Sequence, residues 1–180
     1  MIRFAALLRG VNVGKGRRIP MAELRALLAR MGYTDVATLL NSGNAVFSAA
    51  KGAPALHAAA IAAAVARDMD VAVPVVVKSA SELADIVAEN PLAVGAIDPA
   101  RLLVAYVQDR RALAGLEAVA GLVVPPERFV IGRKAAYLHC ANGILGSKAG
   151  EALLGSAGTA VTTRNWSTTL KLNALANRDA

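Results

Sequence analysis

The sequence predicts an α+β protein made of two tandem βαββα(β) halves with antiparallel sheets and a C-terminal helix. Three observations predict it. The chain has 180 residues, enough for one substantial core or two small subdomains sharing one, and too few for several independent domains. Residues 1–90 read as strand, helix, strand, strand, helix, strand and a short helix. Residues 100–180 repeat the order βαββα before a last helix, and residues 91–99, which begin and end in proline, read as a linker within one globular unit.

In the first half, residues 2–8 form a mostly apolar run suited to a buried strand, and residues 10–16 follow as a flexible basic loop with three glycines. A helix comes next. Pro20 suits its first turn, Met21, Leu24, Leu27, Leu28 and Met31 fall on one helical face, and Gly32 supplies a left-handed stop. Residues 36–40 and 45–48 read as strands joined by Asn41-Ser42-Gly43-Asn44, whose residue types tolerate the positive φ of a tight turn. Residues 54–69 read as a second helix and 73–77 as a fourth strand, which completes the βαββαβ order of a ferredoxin-like half. Residues 81–87 extend a short helix that Asn90-Pro91 closes, because proline pushes its predecessor away from helical geometry.

In the second half, residues 102–107 read as a strand, 110–120 as a helix, 127–131 and 135–139 as a hairpin around Gly132-Arg133, and 148–154 as a helix. Val161-Thr162-Thr163 is expected to open the last helix, with Trp166, Leu170 and Ala174 on one stripe.

Hydrophobic residues make up 56% of the chain and charged residues 18%, which excludes a disordered polymer, although much of the apolar share is alanine. No apolar run reaches the roughly 20 residues of a membrane span. That absence, an N-terminal apolar stretch too short for a signal peptide, and a single cysteine, Cys140, lead to the expectation of a soluble cytoplasmic protein without a disulfide.

The net charge is +7, and it is not evenly spread. Residues 1–20 carry five basic and no acidic groups and residues 128–180 seven basic and two acidic, whereas residues 21–127 carry eight basic and eleven acidic. A solvated arginine-rich surface accounts for such a balance, and so does an anion-facing surface shared by the two ends.

The short motifs are read against those alternatives. Gly10-Val11-Asn12-Val13-Gly14-Lys15-Gly16 has three residues between its first two glycines and Gly16 after the lysine, so it is not a Walker A loop; Ile19 replaces the third glycine of a dinucleotide fingerprint. It remains either a connector or an anion loop. Ser42 lacks the glycine two residues before it that a nucleophile elbow needs, which leaves a turn role or ligand contacts by Ser42 and Asn44. His139 and Cys140 are neighbours on a strand and point to opposite faces, and His57 stands alone, so no metal site and no cofactor follow. Ser147 reads as a helix cap, with Lys148 beside it suited to an anion. Thr162-Thr163-Arg164-Asn165-Trp166 joins a helix start to a guanidinium, an amide and an indole, ingredients either for phosphate or nucleotide binding or for capping and anchoring the last helix.

Taken together, residues 7–14 (Leu-Leu-Arg-Gly-Val-Asn-Val-Gly), 21–24 (Met-Ala-Glu-Leu), 41–47 (Asn-Ser-Gly-Asn-Ala-Val-Phe) and 162–166 (Thr-Thr-Arg-Asn-Trp) resemble the domain-of-unknown-function 1697 family in order and spacing over essentially the whole chain. Asn90-Pro91-Leu92 and Gly146-Ser147-Lys148 are similar to its weaker blocks. The resemblance implies a bacterial cytoplasmic α+β protein with ferredoxin-like halves, and it brings no reaction, cofactor or substrate with it. The sequence departs from the family at Lys15, where glycine is usual, and at Leu39, where tyrosine is usual.

The functional expectation is a binding module for a phosphorylated small molecule or nucleic acid. Its residues are Arg9, Asn12, Lys15, Arg17 and Arg18 of the loop, Ser42 and Asn44 of the turn, and Thr163, Arg164 and Asn165 of the terminal motif. The alternative is an enzyme acting on a small phosphorylated or nucleotide-like substrate oriented by Lys15 and Arg164, with Ser42 or Asn44 near the chemistry. A third reading is a protein-interaction domain that uses an exposed sheet edge.

Overall fold

The computed structural model describes residues 1–14, 16–95, 97–155 and 160–178. The first half contains β1 (Ile2–Leu8), α1 (Met21–Arg30), β2 (Thr34–Leu39), β3 (Asn44–Ala49), α2 (Pro54–Met69), β4 (Val75–Ser79) and α3 (Ala80–Ala88). The second contains β5 (Leu102–Val107), a 3-10 segment (Arg110–Leu116) running into α4 (Glu117–Ala120), β6 (Arg128–Ile131), β7 (Ala135–His139), α5 (Lys148–Leu154), β8 (Val161–Asn165) and α6 (Trp166–Ala176). The strands form two four-stranded antiparallel sheets, ordered β2-β3-β1-β4 and β6-β7-β5-β8. Matching β5–β8 to β1–β4 makes the two orders identical, so this α+β chain repeats the full βαββαβ step. Two compact units result: Met1–Leu83 together with the segment from Leu172, and Ala84–Lys171.

In the first unit, period-two alternation sends Phe4, Ala6 and Leu8 of β1 to one face, beside Phe47 and Ala45 of β3 and Val77 and Val75 of β4. Leu24, Leu27 and Leu28 of α1 and Ile61, Ala64 and Val65 of α2 bury against that face. Each fully buried Leu, Ile or Phe contributes about 1.5–3 kcal/mol. Gly32 stops α1 as its sequence requires: at φ +88 it lets Gly32 N–H reach Ala29 O (3.0 Å) and Tyr33 N–H reach Leu28 O (3.3 Å). The fourth strand starts two residues later than residue 73. Pro74 has no N–H for a ladder, and its carbonyl instead accepts from Arg9 N at 2.9 Å. β2 begins earlier than expected, at Thr34, and its register shifts between Thr34 and Ala37, where Asp35 has φ 51.

In the second unit, Leu103, Ala105 and Val107 of β5 and Ala136 and Leu138 of β7 pack with Leu113, Leu116, Val119, Ala149 and Leu153. The segment expected as one helix over residues 110–120 is mostly 3-10. Its buried residues, Leu113, Leu116 and Val119, recur every third position, which suits three residues per turn.

The last helix departs most from expectation. Residues 161–163 do not open it; they belong to β8, which pairs antiparallel with β5 from Val107↔Val161 to Leu103↔Asn165. The β-branched run Val161-Thr162-Thr163 favours an extended backbone, and the ladder on β5 satisfies its peptide groups. The cap moves to Asn165, whose Oδ1 accepts from Thr168 N at 2.9 Å. The buried face of α6 then carries Thr168, Thr169, Leu172 and Ala176, while Leu170 is 41% exposed and Ala174 is exposed, so the expected stripe of Trp166, Leu170 and Ala174 is not the packed one.

Candidate functional site

The loop after β1 is built by positive φ angles at Gly10 (65°), Asn12 (56°) and Gly14 (56°). For asparagine this conformation is tolerated when its amide finds backbone partners nearby. Asn12 finds three. Its Oδ1 accepts from Ile19 N at 2.9 Å, and its Nδ2 donates to Ile19 O at 2.8 Å and to Asn41 O at 2.7 Å. With Asn12 N–H on Arg17 O at 2.8 Å, these bonds close the loop and fasten it to the turn between β2 and β3. Gly43 supplies a second fastening. Leu8 N–H donates to its carbonyl at 2.8 Å, and a Cβ at residue 43 would lie 2.5 Å from Val11 Cγ2.

Loop and turn are therefore brought together within the first unit, but the side chains named from sequence do different jobs there. Asn44 is wholly buried, and its Nδ2 donates to Leu39 O (3.0 Å) and Ser42 Oγ (2.9 Å), so it shapes the turn from inside. Ser42 is half-buried and accepts that bond. Arg9 is half-buried. Arg17 and Arg18 are exposed; Arg18 Nη2 donates to Gly14 O at 2.9 Å, and neither guanidinium has an ion-pair partner among the described residues. Lys15 lies outside the described residues.

The terminal motif belongs to the second unit. Arg164 is 8% exposed on β8, and its Nη1 donates to Thr162 Oγ1 at 2.9 Å and to Thr163 O at 2.7 Å. Burial holds its guanidinium down to about 10, with Tyr106 opposing that shift. Asn165 is engaged in capping α6, accepting from both Thr168 N and Ser167 Oγ (3.1 Å). The helix start expected at residues 161–163 begins only at Trp166, because residues 162–165 are strand.

Two further chemistry-bearing residues, His57 and Cys140, are buried. His57 lies against Phe4, Phe47 and Tyr33, with Nδ1 2.9 Å from Tyr33 Oη and Nε2 buried without a hydrogen-bond partner. Cys140 is buried, and burial pushes its thiol up. Among the described residues no group of three or more His, Cys, Asp or Glu could hold a metal ion, and no helix is long and apolar enough to cross a membrane.

The loop and turn thus offer exposed guanidinium ions, a hydroxyl and glycine backbone, groups that bind and orient an anion. Sequence reading did not identify Asn41, whose carbonyl anchors Asn12; that link depends on tertiary contact, and the asparagine flanked by loop glycines was its only local sign.

A family model described as "Protein of unknown function (DUF1697)" matches residues 1–137. Among solved structures, a conserved bacterial protein of Streptococcus pneumoniae is similar with a TM-score of 0.77 and 23% sequence identity, over 98% of this chain and 99% of that one. At that identity the likeness speaks to the fold. No curated protein matches.

Proposed function

This chain belongs to the DUF1697 family, whose description names no activity, and we propose that it is a binding module for a phosphorylated ligand or nucleic acid held by the basic loop after β1. The observation that carries the reading is the Asn12 clamp. A glycine-bearing loop left to itself loses conformational entropy when it closes on a ligand; a loop already fastened to Ile19 and Asn41 has lost much of it beforehand. What the clamp holds in place is positive and accessible. Arg17 and Arg18 are exposed on it without carboxylate partners among the described residues, in a stretch of 20 residues that contains no acidic group. Arginine suits phosphate because its planar fork donates two parallel hydrogen bonds. Ser42 at the edge of the turn adds a hydroxyl, and Asn44 supports it from below.

Titrating inorganic pyrophosphate while following backbone amide resonances tests the reading. The amides of Gly10, Gly14, Gly16 and Gly43 are expected to shift together and saturably. Shifts that bypass the loop and the turn would remove the site.

A further inference from the structure

The second unit contains a cavity of about 230 Å³ whose lining includes Val124, Pro125, Glu127, Asn142 and Lys148. Lys148 and Asn142 are exposed and Glu127 is half-buried, and the protein itself uses little of their bonding capacity. The Lys148 ammonium and the Asn142 amide have no hydrogen-bond or ion-pair partner among the described residues, and the Glu127 carboxylate has one long contact, from Val124 N at 3.3 Å. Glu127 and Lys148 line the same cavity and are not ion-paired with each other. Lys148 is the first residue of α5, and the start of that helix is already capped. Ser147 closes it by accepting from Gly150 N at 2.9 Å.

We propose that this cavity is a binding site for a small zwitterion of the α-amino-acid type. The ligand's ammonium sits at Glu127, its carboxylate at Lys148, and a short aliphatic side chain lies against Val124 and Pro125. Asn142 both donates and accepts, so it serves either end of the ligand. The size argues the same way. Pockets for drug-sized molecules run from about 300 Å³ upward, and this one is smaller. The charge pattern selects further. A ligand with a single charge leaves either the carboxylate or the ammonium of the protein partly desolvated and unmatched, whereas a zwitterion satisfies both. Gly143 and Gly146 also line the cavity, with φ 95° and 98°, and no heavy atom lies within 4 Å of where a side chain would begin at either.

The test uses the full chain and L-valine as the probe, with the amide resonances of Gly143 and Gly146 as the readout. L-Valine is expected to shift them saturably, half-saturating at about 1 mM or below. N-acetyl-L-valine, which lacks the ammonium, and L-valinamide, which lacks the carboxylate, are expected to bind about tenfold more weakly or worse. Glu127→Gln should weaken L-valine by a similar factor while narrowing its advantage over N-acetyl-L-valine, and Lys148→Met should do the same relative to L-valinamide. The two variants remove opposite ends of the site and both change side chains at the surface, so a folding defect in one leaves the other informative. The absence of a saturable shift up to about 30 mM L-valine, far above the millimolar range expected for so small a ligand, overturns the proposal. Equal responses to the three compounds, or unchanged binding in both variants, do so as well.

Discussion

The side-chain amide of Asn12 donates to the backbone carbonyl of Asn41 at 2.7 Å, joining a loop and a turn that lie 29 residues apart in sequence. The same amide group also holds Ile19 through both its oxygen and its nitrogen. Replacing Asn12 with alanine removes all three bonds and leaves a non-glycine residue at positive φ, for an expected loss of about 1–3 kcal/mol. Urea denaturation of the variant measures it, and a change below about 0.5 kcal/mol, the range of an ordinary surface substitution, would show that the clamp carries no strain-bearing role.

Two glycines of the same region separate conformational strain from crowding. At Gly14 (φ +56) a side chain enters open space, whereas at Gly43 (φ +77) a Cβ meets Val11 Cγ2 at 2.5 Å and Leu8 Cβ at 2.8 Å. Gly14→Ala is expected to cost about 1 kcal/mol from backbone strain alone. Gly43→Ala is expected to cost about 2–4 kcal/mol, because overpacking adds to the strain. Unfolding of the two variants side by side reads the difference directly.

His57 gives the first unit an acid sensitivity. Its burial lowers the imidazole below its ordinary 6.5, with the Lys51 backbone opposing in part. The native state therefore keeps His57 neutral at pH values where the unfolded chain has already taken up a proton. Stability from this group is complete above pH 6.5 and falls as the pH drops from there toward the lowered native value. Equilibrium unfolding measured at pH 8 and at successive steps below 6.5 should show that decline, and His57→Phe should flatten it. An identical decline in the variant would assign it to carboxylates instead.

α6 is anchored by hydroxyls and one leucine. Tyr106 Oη donates to Thr169 Oγ1 at 2.8 Å in a fully buried setting, and Thr169 Oγ1 donates onward to Asn165 O at 3.1 Å. Thr169→Val strands the Tyr106 hydroxyl and should cost about 1–3 kcal/mol. Leu172→Ala should cost about 2–5 kcal/mol as a core truncation. Leu170→Lys, on the outer face, should stay within about 0.5 kcal/mol. Thermal unfolding of the three variants ranks them, and a destabilising Leu170→Lys would restore the stripe expected from sequence.

Much of the fold was legible because local signals agreed with the tertiary answer. α1 carried an apolar face, a proline before it and a glycine after it, and Asn41 to Asn44 had the residue types of a tight turn between two strands. β8 was misread because Thr serves both as a helix cap and as a strand residue; the availability of β5 as a partner decided between them. The face of α6 was misread for a related reason. Two of its four buried positions are threonines, the Thr169 hydroxyl being satisfied by Tyr106 and Asn165, and a hydrophobicity pattern gives no weight to such residues. In the candidate site, the adjacency of loop and turn followed from βαββ topology, whereas the inward roles of Asn12 and Asn44 required knowing which carbonyls lie within reach.

The proposed function meets its most direct test in the salt dependence of binding. Fluorescein-labelled single-stranded DNA and inorganic pyrophosphate are offered to the wild-type chain and to the Arg17→Ala, Arg18→Ala double variant across about 50–200 mM salt. Binding is expected at the low end and weakens steeply with salt, and for the DNA the log–log slope is expected to be shallower by about 1.4 in the double variant, two phosphate contacts at about 0.7 each. Failure of both probes to bind at the low end, or binding whose affinity and slope are untouched by removing the two arginines, would contradict the proposed function.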